Sequence, residues 1–481
     1  MRFLLLLSVA CSGKDSSSAD DLSSDTDTDT DTDTDADTDT DADTDTDACD
    51  AVYPDHTVGL LACDPAAAPG YTLFAPNTST TTYLIDNFGQ VVQTWDSDYP
   101  PGHSVSLLEN GHLLRTAQDS SGTPFQAGGA AGRVQEFDWD GTLLWDFAYK
   151  SSTHLSHHDM EPLPNGNVLI IAWEAHSEAE AIAAGRDPAD VDSAGVWADT
   201  VIEVDPSDDT IVWTWRVWDH MVQDFDSSKQ FFGDPAAEPG RVDINLTPQG
   251  PGPVMADWNH LNGVAYHPEF DQIVVSSHNQ DEIWVIDHAT TTAEAAGPAG
   301  DLLYRWGNPA NYGAGTGADK QLSGQHDAEW IAPGLPGAGN LLVFNNGVQF
   351  GASSVLEIAP PVDGAGNYTL VAGAAYGPAA PTWSFEDSEF YSSYIGGSQR
   401  LSNGDTLVCE GASGHFFEVT EAGAVVWDYI NPVGPSGPAS QGYTFPEGGG
   451  PTNSAFRADR YAPDYPAFDG RDLTPQGVIE Q

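Results

Sequence analysis

The chain has 481 residues, with 73 acidic side chains against 15 basic ones and a formal net charge of −58 at pH 7. That excess excludes binding nucleic acid through its phosphates, which takes clustered Lys and Arg. No apolar stretch is long enough for a membrane-spanning helix, and none of the four cysteines stands at the spacing of a zinc site.

The amino terminus reads Met1-Arg-Phe-Leu-Leu-Leu-Leu-Ser-Val-Ala-Cys11, one cation and a short apolar run ending in small residues before a cysteine. It resembles a bacterial lipoprotein signal. Residues 1–11 are therefore expected to direct export, with Cys11 as the lipidation site that anchors the protein to a membrane. Ser12 follows where Asp would favour the inner membrane, so the expected destination is the outer membrane, on its periplasmic face or at the cell surface. Residues 12–50 read as a linker. From Asp25 to Asp47 Asp alternates with Thr or Ala, a composition that buries nothing and repels itself, which predicts an extended, disordered tether. It lacks the Gly turn and bidentate Glu of an ordered calcium loop. Cys49 and Cys63 flank the junction with the body and are a candidate disulfide in an oxidising compartment. Cys409, in an apolar run, reads as a buried free thiol.

From Tyr71 onward one unit recurs: a strand, a turn, a second strand, a Val/Ile-rich strand ending near Asp, and a strand ending near Trp. The clearest copy runs from His103 through Asn110-Gly111, Val134 to Asp138 and Gly141 to Trp145. It returns from His158 through Asn165-Gly166, Val201 to Asp205 and Ile211 to Trp215, then from His260 through Ile273, Ile283 to Asp287 and Asp301 to Trp306. A fourth copy has His326, Asn340 and Val355 to Ile358; a fifth has Asn403-Gly404, Phe416 to Val419 and Gly423 to Trp427. Asn-Gly between apolar runs is a strong hairpin signal, because both turn positions of a two-residue loop favour positive φ. Each unit is thus a four-stranded antiparallel meander that cannot bury both faces alone. Such units pack radially as a propeller.

A sixth unit is split. Thr72, Thr82 to Asp86 and Gly89 to Trp95 supply three strands, and Ser454 to Tyr461 supplies the missing one. The predicted fold is all-β: a six-bladed propeller over residues 51–470, closed by the C-terminal strand, with a tail at 471–481. Two insertions interrupt it. Glu174 to Ala198, rich in Ala and Glu, is predicted to be partly helical. Asp219 to Asp257 is rich in Gly and Pro, and both should rim the channel mouth.

His103, His158, His260 and His326 head four of the units, and Gly396 takes the place in the fifth. First strands line the channel of a propeller, so these histidines should converge. Three roles suit them. Each could cap a strand. Together they could hold a metal, with Asp159 and Asp327 orienting the rings. Or they could act as nucleophile and acid/base, since a neutral imidazole attacks without prior activation.

His157-His158-Asp-Met-Glu-Pro, Trp258-Asn-His260-Leu-Asn-Gly-Val, Gly324-Gln-His326-Asp-Ala-Glu-Trp and Phe456-Arg-Ala-Asp-Arg-Tyr-Ala-Pro-Asp-Tyr-Pro resemble the bacterial arylsulfate sulfotransferase family, over about residues 71–465. The resemblance implies transfer of a sulfuryl group from an aryl sulfate to a phenol, with no nucleotide donor, no cofactor and no metal. It implies that His326 is the nucleophile, transiently sulfated, and that His158 and His260 hold the sulfuryl oxygens and handle protons, with ping-pong kinetics. His157 is the alternative to His158, and His103 receives no role. Better-known members carry an arginine where this chain reads Ser276-Ser277-His278. Either His278 substitutes when protonated or Arg400 reaches in from the fifth blade. Failing both, weak activity or a different substrate is expected; the alternative reading is a non-catalytic, lipid-anchored surface propeller that binds a small aromatic or sulfated ligand. Trp258, Trp330 and Tyr394 are candidates to stack on a phenol ring.

Overall fold

The Asn-Gly turns build the hairpins, but by another loop than expected. In the computed structural model only the glycines take positive φ (Gly111 84°, Gly166 88°, Gly404 93°). Leu108 N–H donates to His112 O and Gly111 N–H to Leu108 O, both at 2.8 Å. This is a type I turn followed by a left-handed glycine, a three-residue hairpin loop with a bulge. Asn110 instead uses its side chain, whose Oδ1 accepts the His112 N–H at 2.9 Å. The same pattern recurs at Asn165-Gly166 and Asn403-Gly404.

The structure describes residues 49–247, 256–446 and 452–481. The expected signal, Cys11 and the linker through Ala48 lie outside them. The first blade pairs Pro101–Leu107, Leu113–Gln118, Gly132–Phe137 and Leu143–Ala148. The second pairs His154–Pro162, Val168–His176, Val196–Asp205 and Thr210–Arg216. Leu261–His267, Gln272–Ser277, Glu282–Asp287 and Tyr304–Trp306 form the third. His326–Trp330, Leu341–Asn345, Ser354–Ile358 and Trp383–Phe385 form the fourth. The fifth comprises Gly397–Arg400, Thr406–Glu410, His415–Val419 and Val425–Ile430. The sixth is split as predicted: Ala455–Tyr461 pairs with Tyr71–Pro76 (Tyr71 opposite Tyr461), followed by Thr81–Asp86 and Val91–Asp96. The first strands of consecutive blades pack against one another in a closed circle, so six blades make the ring. The fold is a six-bladed propeller with few helices.

Successive residues of a buried strand face opposite gaps between blades. Val168 and Ile170 pack toward the first blade, Leu169 and Ile171 toward the third. Each of the six gaps holds its own apolar cluster. An indole fastens each gap as well. Trp95, Trp145, Trp215, Trp306, Trp383 and Trp427 each donate Nε1–H to the turn between the third and fourth strands of the next blade. The acceptors are Asp138 O, Asp209 Oδ1, Gly300 O, Pro378 O, Glu421 O and Asn87 O, at 2.8 to 3.0 Å. The recurring Trp of the repeat is therefore a staple that satisfies its own N–H while burying its ring.

Two features lie outside the repeat. Gly59–Cys63 adds a strand to the outer edge of the fifth blade, opposite Val425–Ile430, and the Cys49–Cys63 disulfide ties it to the chain before it. Cys409 is a buried free thiol. The first insertion holds the helix Glu178–Ala184, capped by Ser177 and Glu180 and ended by left-handed Gly185. The second packs on it through Asn245, whose Nδ2 donates to Gly185 O at 3.1 Å. Among the described residues no helix is long and apolar enough to cross a membrane.

Candidate active site

The histidines converge because each first strand is kinked at the same place. The pairing register shifts between Pro101 and Val105, Ser156 and Met160, Leu261 and Gly263, and His326 and Ala328. At three of those bulges His103, His158 and Asp327 take positive φ of 123°, 50° and 51°, and in the third blade His260, directly before its strand, takes 52°. A bulge of this kind re-aims a side chain, and left-handed backbone at a non-glycine residue costs about 1–3 kcal/mol. Four repetitions of that strain at one level of the channel mark a site.

The imidazoles form an arc. Ring centroids lie 5.4 Å apart for His103 and His158, 4.6 Å for His158 and His260, 5.2 Å for His260 and His278, and 5.4 Å for His278 and His326. Phe456 of the sixth blade closes the circle, stacked 4.9 Å from His103 and 6.1 Å from His326. His103, which received no role from the resemblance, is thus a full member.

Each ring is held differently. His326 is buried, and its Nδ1 lies 2.8 Å from Asn346 Oδ1. His158 Nδ1 lies 2.8 Å from His157 Nδ1, so one of the two carries the shared proton. His157 stacks on Trp173 at 3.9 Å, and its Nε2 is 2.8 Å from Asp199. His260 Nδ1 meets Asp257 Oδ2 at 2.5 Å, and His278 Nδ1 meets Asn279 Oδ1 at 2.9 Å. Gly129 is required beside His158: a Cβ there would sit 2.0 Å from the ring.

Charge is concentrated on one ring. Burial opposes a proton on His260, but the Asp257 carboxylate and its hydrogen bond, with Asp199 behind, hold its pKa above the usual value. Burial and then the His260 charge push His103 and His278 down to about 4, and His157 and His158 well below the ordinary range. Burial, followed by the His278 ring, does the same to His326. A proton is therefore favoured on His260 and disfavoured on the rings around it. His278 joins the ring at the place of the family arginine, and burial, followed by the His260 ring, disfavours its charged form.

Below the ring the channel is crossed by Arg457, whose Nη2 lies 2.7 Å from Asp159 and Nη1 3.2 Å from Asp327. Asp159 also accepts from Val264 N–H and Asp327 from Ser398 N–H, so the two carboxylates serve Arg457 and neighbouring backbone rather than the imidazoles. Two residues further along the same three strands stand Asp459, Glu161 and Glu329. Burial lifts Asp459 to about 7, Glu161 to about 8 and Glu329 well above the carboxylate range. Arg457 received no role from the sequence, where Ser454 to Tyr461 was read as the closing strand and Phe456-Arg-Ala-Asp-Arg-Tyr as part of the resemblance. Its alternation with Asp459 was the available signal.

Three expectations are corrected. Arg400 does not reach the channel: it pairs with Glu357 at 2.7 Å and lies over Trp383 between the fourth and fifth blades. Trp258 is fully buried, packs in the gap between the second and third blades and donates Nε1–H to Leu246 O at 3.0 Å. Trp330 ends the strand that His326 begins and packs edge-on to His267 at 5.1 Å, about 13 Å along from His326. Tyr394 is exposed on the segment that leads into the fifth blade at the histidine end.

The family model for arylsulfotransferase (ASST) matches residues 62–433. The chain belongs to the arylsulfotransferase family. Membership supports aryl sulfotransferase activity in general. No curated protein matches the chain in sequence. Among solved structures it is similar to a protein of unknown function from Bacteroides caccae (12% identity, 75% of this chain and 93% of that one, TM-score 0.41). It is also similar to the β-propeller domain of Cps50 (Swd1) from Myceliophteria thermophila (13%, 79% and 87%, TM-score 0.40). A third is an inactive virginiamycin B lyase from Staphylococcus aureus (7%, 78% and 88%, TM-score 0.35). Scores this low carry no argument about this arylsulfotransferase. Among its described residues no group of three or more His, Cys, Asp or Glu side chains is arranged to hold a metal ion.

Proposed function

We propose that the protein moves a sulfuryl group from an aryl sulfate ester to a phenol by two displacements at His326, without a nucleotide donor. The observation that carries this reading is the buried His326 at the end of an arc in which His278 stands between it and His260, within a ring of hydrogen-bonding imidazoles. In the first displacement His326 Nε2 forms a bond to sulfur as the bond from sulfur to the aryl oxygen breaks. The departing phenolate takes a proton from the ring. The sulfuryl oxygens gain negative charge in transit, and fixed donors around them, His260 first, lower the barrier by about 10²–10³ in rate each. In the second displacement the acceptor hydroxyl gives its proton to His158, which passes it on to the imidazole that gave up its proton in the first, so the ring regains its starting state; the acceptor oxygen bonds to sulfur, and the electron pair returns to His326.

4-Nitrophenyl sulfate with and without added phenol tests this. Expected are phenol-dependent nitrophenolate release, a sulfuryl adduct on the His326 peptide when phenol is withheld, and loss of both in His326→Asn. No release with any of several aryl sulfates and phenols sinks the reading. The second reading, a surface propeller that binds a small aromatic or sulfated ligand without turnover, then leads; the absence of an arginine at His278 favours it. Export on a lipid at Cys11 of the outer membrane is proposed with either. Globomycin-sensitive processing and incorporation of labelled fatty acid, lost in Cys11→Ser, would support it.

A further inference from the structure

We propose that Asn346 is a positioning residue that fixes the proton of His326 on Nδ1 and so leaves Nε2 as the attacking atom. The proposal rests on the sulfuryl-transfer reading of this same site. Asn346 directly follows the strand Leu341–Asn345 and is fully buried. Its Nδ2 donates to Ser392 O and Ile395 O, both at 2.9 Å. Those two carbonyls can only accept, so the amide cannot be turned round, and Oδ1 must be the atom that faces His326 at 2.8 Å. An amide oxygen has no hydrogen to give. The hydrogen on that contact therefore belongs to His326 Nδ1, and the lone pair to Nε2.

The supporting shell is itself locked. Ser353 Oγ donates to Asn346 O at 2.9 Å and accepts Ser392 N–H at 2.9 Å, while Ser392 Oγ donates to Ile395 O at 2.8 Å. The segment that carries exposed Tyr394 at the mouth is thus tied through one amide to the reactive ring. That the partner is an amide matters as much as its position. A carboxylate in the same place holds the cation at His260, whereas a neutral acceptor orients His326 without charging it. After the first displacement the sulfated ring bears the positive charge, with Nδ1–H still donated to Asn346 Oδ1. Because the amide does not neutralise that charge, the imidazole remains a good leaving group for the second displacement.

The test uses the whole protein labelled with ¹⁵N-histidine, together with Asn346→Ala and Asn346→Asp. In the wild type long-range ¹H–¹⁵N spectra should show His326 protonated at Nδ1 and bare at Nε2, and N346A should show a mixture of tautomers. Sulfuryl uptake from 4-nitrophenyl sulfate should fall about 10–100-fold in N346A with donor KM little changed. N346D keeps the shape and the acceptor but adds charge, so its acid limb of uptake should move to higher pH. His278 and His260 from the third blade and His103 from the first face His326 and are unchanged in both variants. A wild-type His326 protonated at Nε2, or an N346A protein with the wild-type tautomer and rate, would overturn the proposal. A wild type with the Nδ1 proton but no uptake from any aryl sulfate sinks sulfuryl transfer alone and leaves the hydrogen-bond assignment standing.

Discussion

His260 and Asp257 share a 2.5 Å Nδ1–Oδ2 contact at the edge of the histidine ring, and this pair favours a proton on His260 over the other rings of the site. They stand three positions apart, in the turn before the third blade, where Asn279 Nδ2 donates to Asp257 O at 2.8 Å. The consequence of the pair reaches further. Once His260 is charged, neighbouring rings resist protonation, and the His260 charge is the largest cause after burial for His103, His157, His158 and His278. A carboxylate on one histidine thereby keeps the others neutral.

Asp257→Asn removes the partner that outweighs burial. Deprotonation of His260 in the wild type should set the alkaline limb of donor turnover, because the charged form is the active one and its pKa is raised. His158 and His278 face the ring, with Asp199 and His157 behind. In D257N burial is left to win, so the limb should move to lower pH and kcat at neutral pH should fall about 10²-fold. A pH–rate profile that does not move shows that the charge on His260 is not used.

Gly129→Ala tests the seat of His158. Gly129 has φ of 77°, its carbonyl accepts the His158 N–H at 2.8 Å, and an added Cβ would occupy the space of the ring itself. The ring has no slack, since Trp173 lies 6.4 Å from it and His157 touches its Nδ1. Turnover should drop by at least about 10², as expected when a reacting group is misplaced by an ångström. Wild-type turnover in G129A would show that His158 has no part in the chemistry.

Much of this molecule was legible as pattern. The period of the units set the blade number, and the histidines at the head of four of the six units pointed to the candidate site, because a closed ring brings equal repeat positions together. What escaped was what no repeat encodes. Asn346 lies in a loop and meets His326 only across 20 residues of chain, with both its amide hydrogens assigned by carbonyls of the next blade. Arg400 was misplaced because the first strands also bear residues that point into the gaps between blades, and a one-residue change of direction separates channel from core; Trp258, three residues before its strand, packs into a gap in the same way. The hairpin loops were recognised by their Asn-Gly pairs, while the bulged geometry depends on the Asn side chain accepting a backbone N–H, an alternative the dipeptide alone does not distinguish.

Arg457→Leu should weaken the ring rather than the chemistry. It leaves Asp159 and Asp327 buried and without their cation, each still holding a backbone N–H of the next blade. Breaking a buried pair in this way costs about 3–5 kcal/mol. The sign of its pH dependence follows. In the wild type Arg457 opposes the burial that raises Asp327, and in the variant that carboxylate is relieved by taking up a proton. The loss in thermal midpoint should therefore be largest near pH 8 and shrink as the pH falls toward 5. An equal loss at both values would show that the destabilisation comes from lost packing against Phe456, over whose ring the guanidinium sits at 4.9 Å.

Ionic strength should separate donor from acceptor. The protein carries a formal charge of −58, and an aryl sulfate is an anion while a phenol at neutral pH is not. A protonated His260 attracts the sulfate at contact, but beyond a Debye length of about 10 Å in 0.1 M salt the approaching donor meets the field of the acidic body. Screening removes that repulsion before it removes the contact with buried His260, which solvent ions reach poorly. Raising salt from about 0.01 to 0.15 M, across which the Debye length falls from about 30 to 8 Å, should therefore raise kcat/KM for 4-nitrophenyl sulfate several-fold and leave kcat/KM for a neutral phenol unchanged. A fall in the donor value with salt would mean that attraction within the mouth outweighs the repulsion outside it, and equal effects on both substrates would mean that the field acts on the protein rather than on the approach.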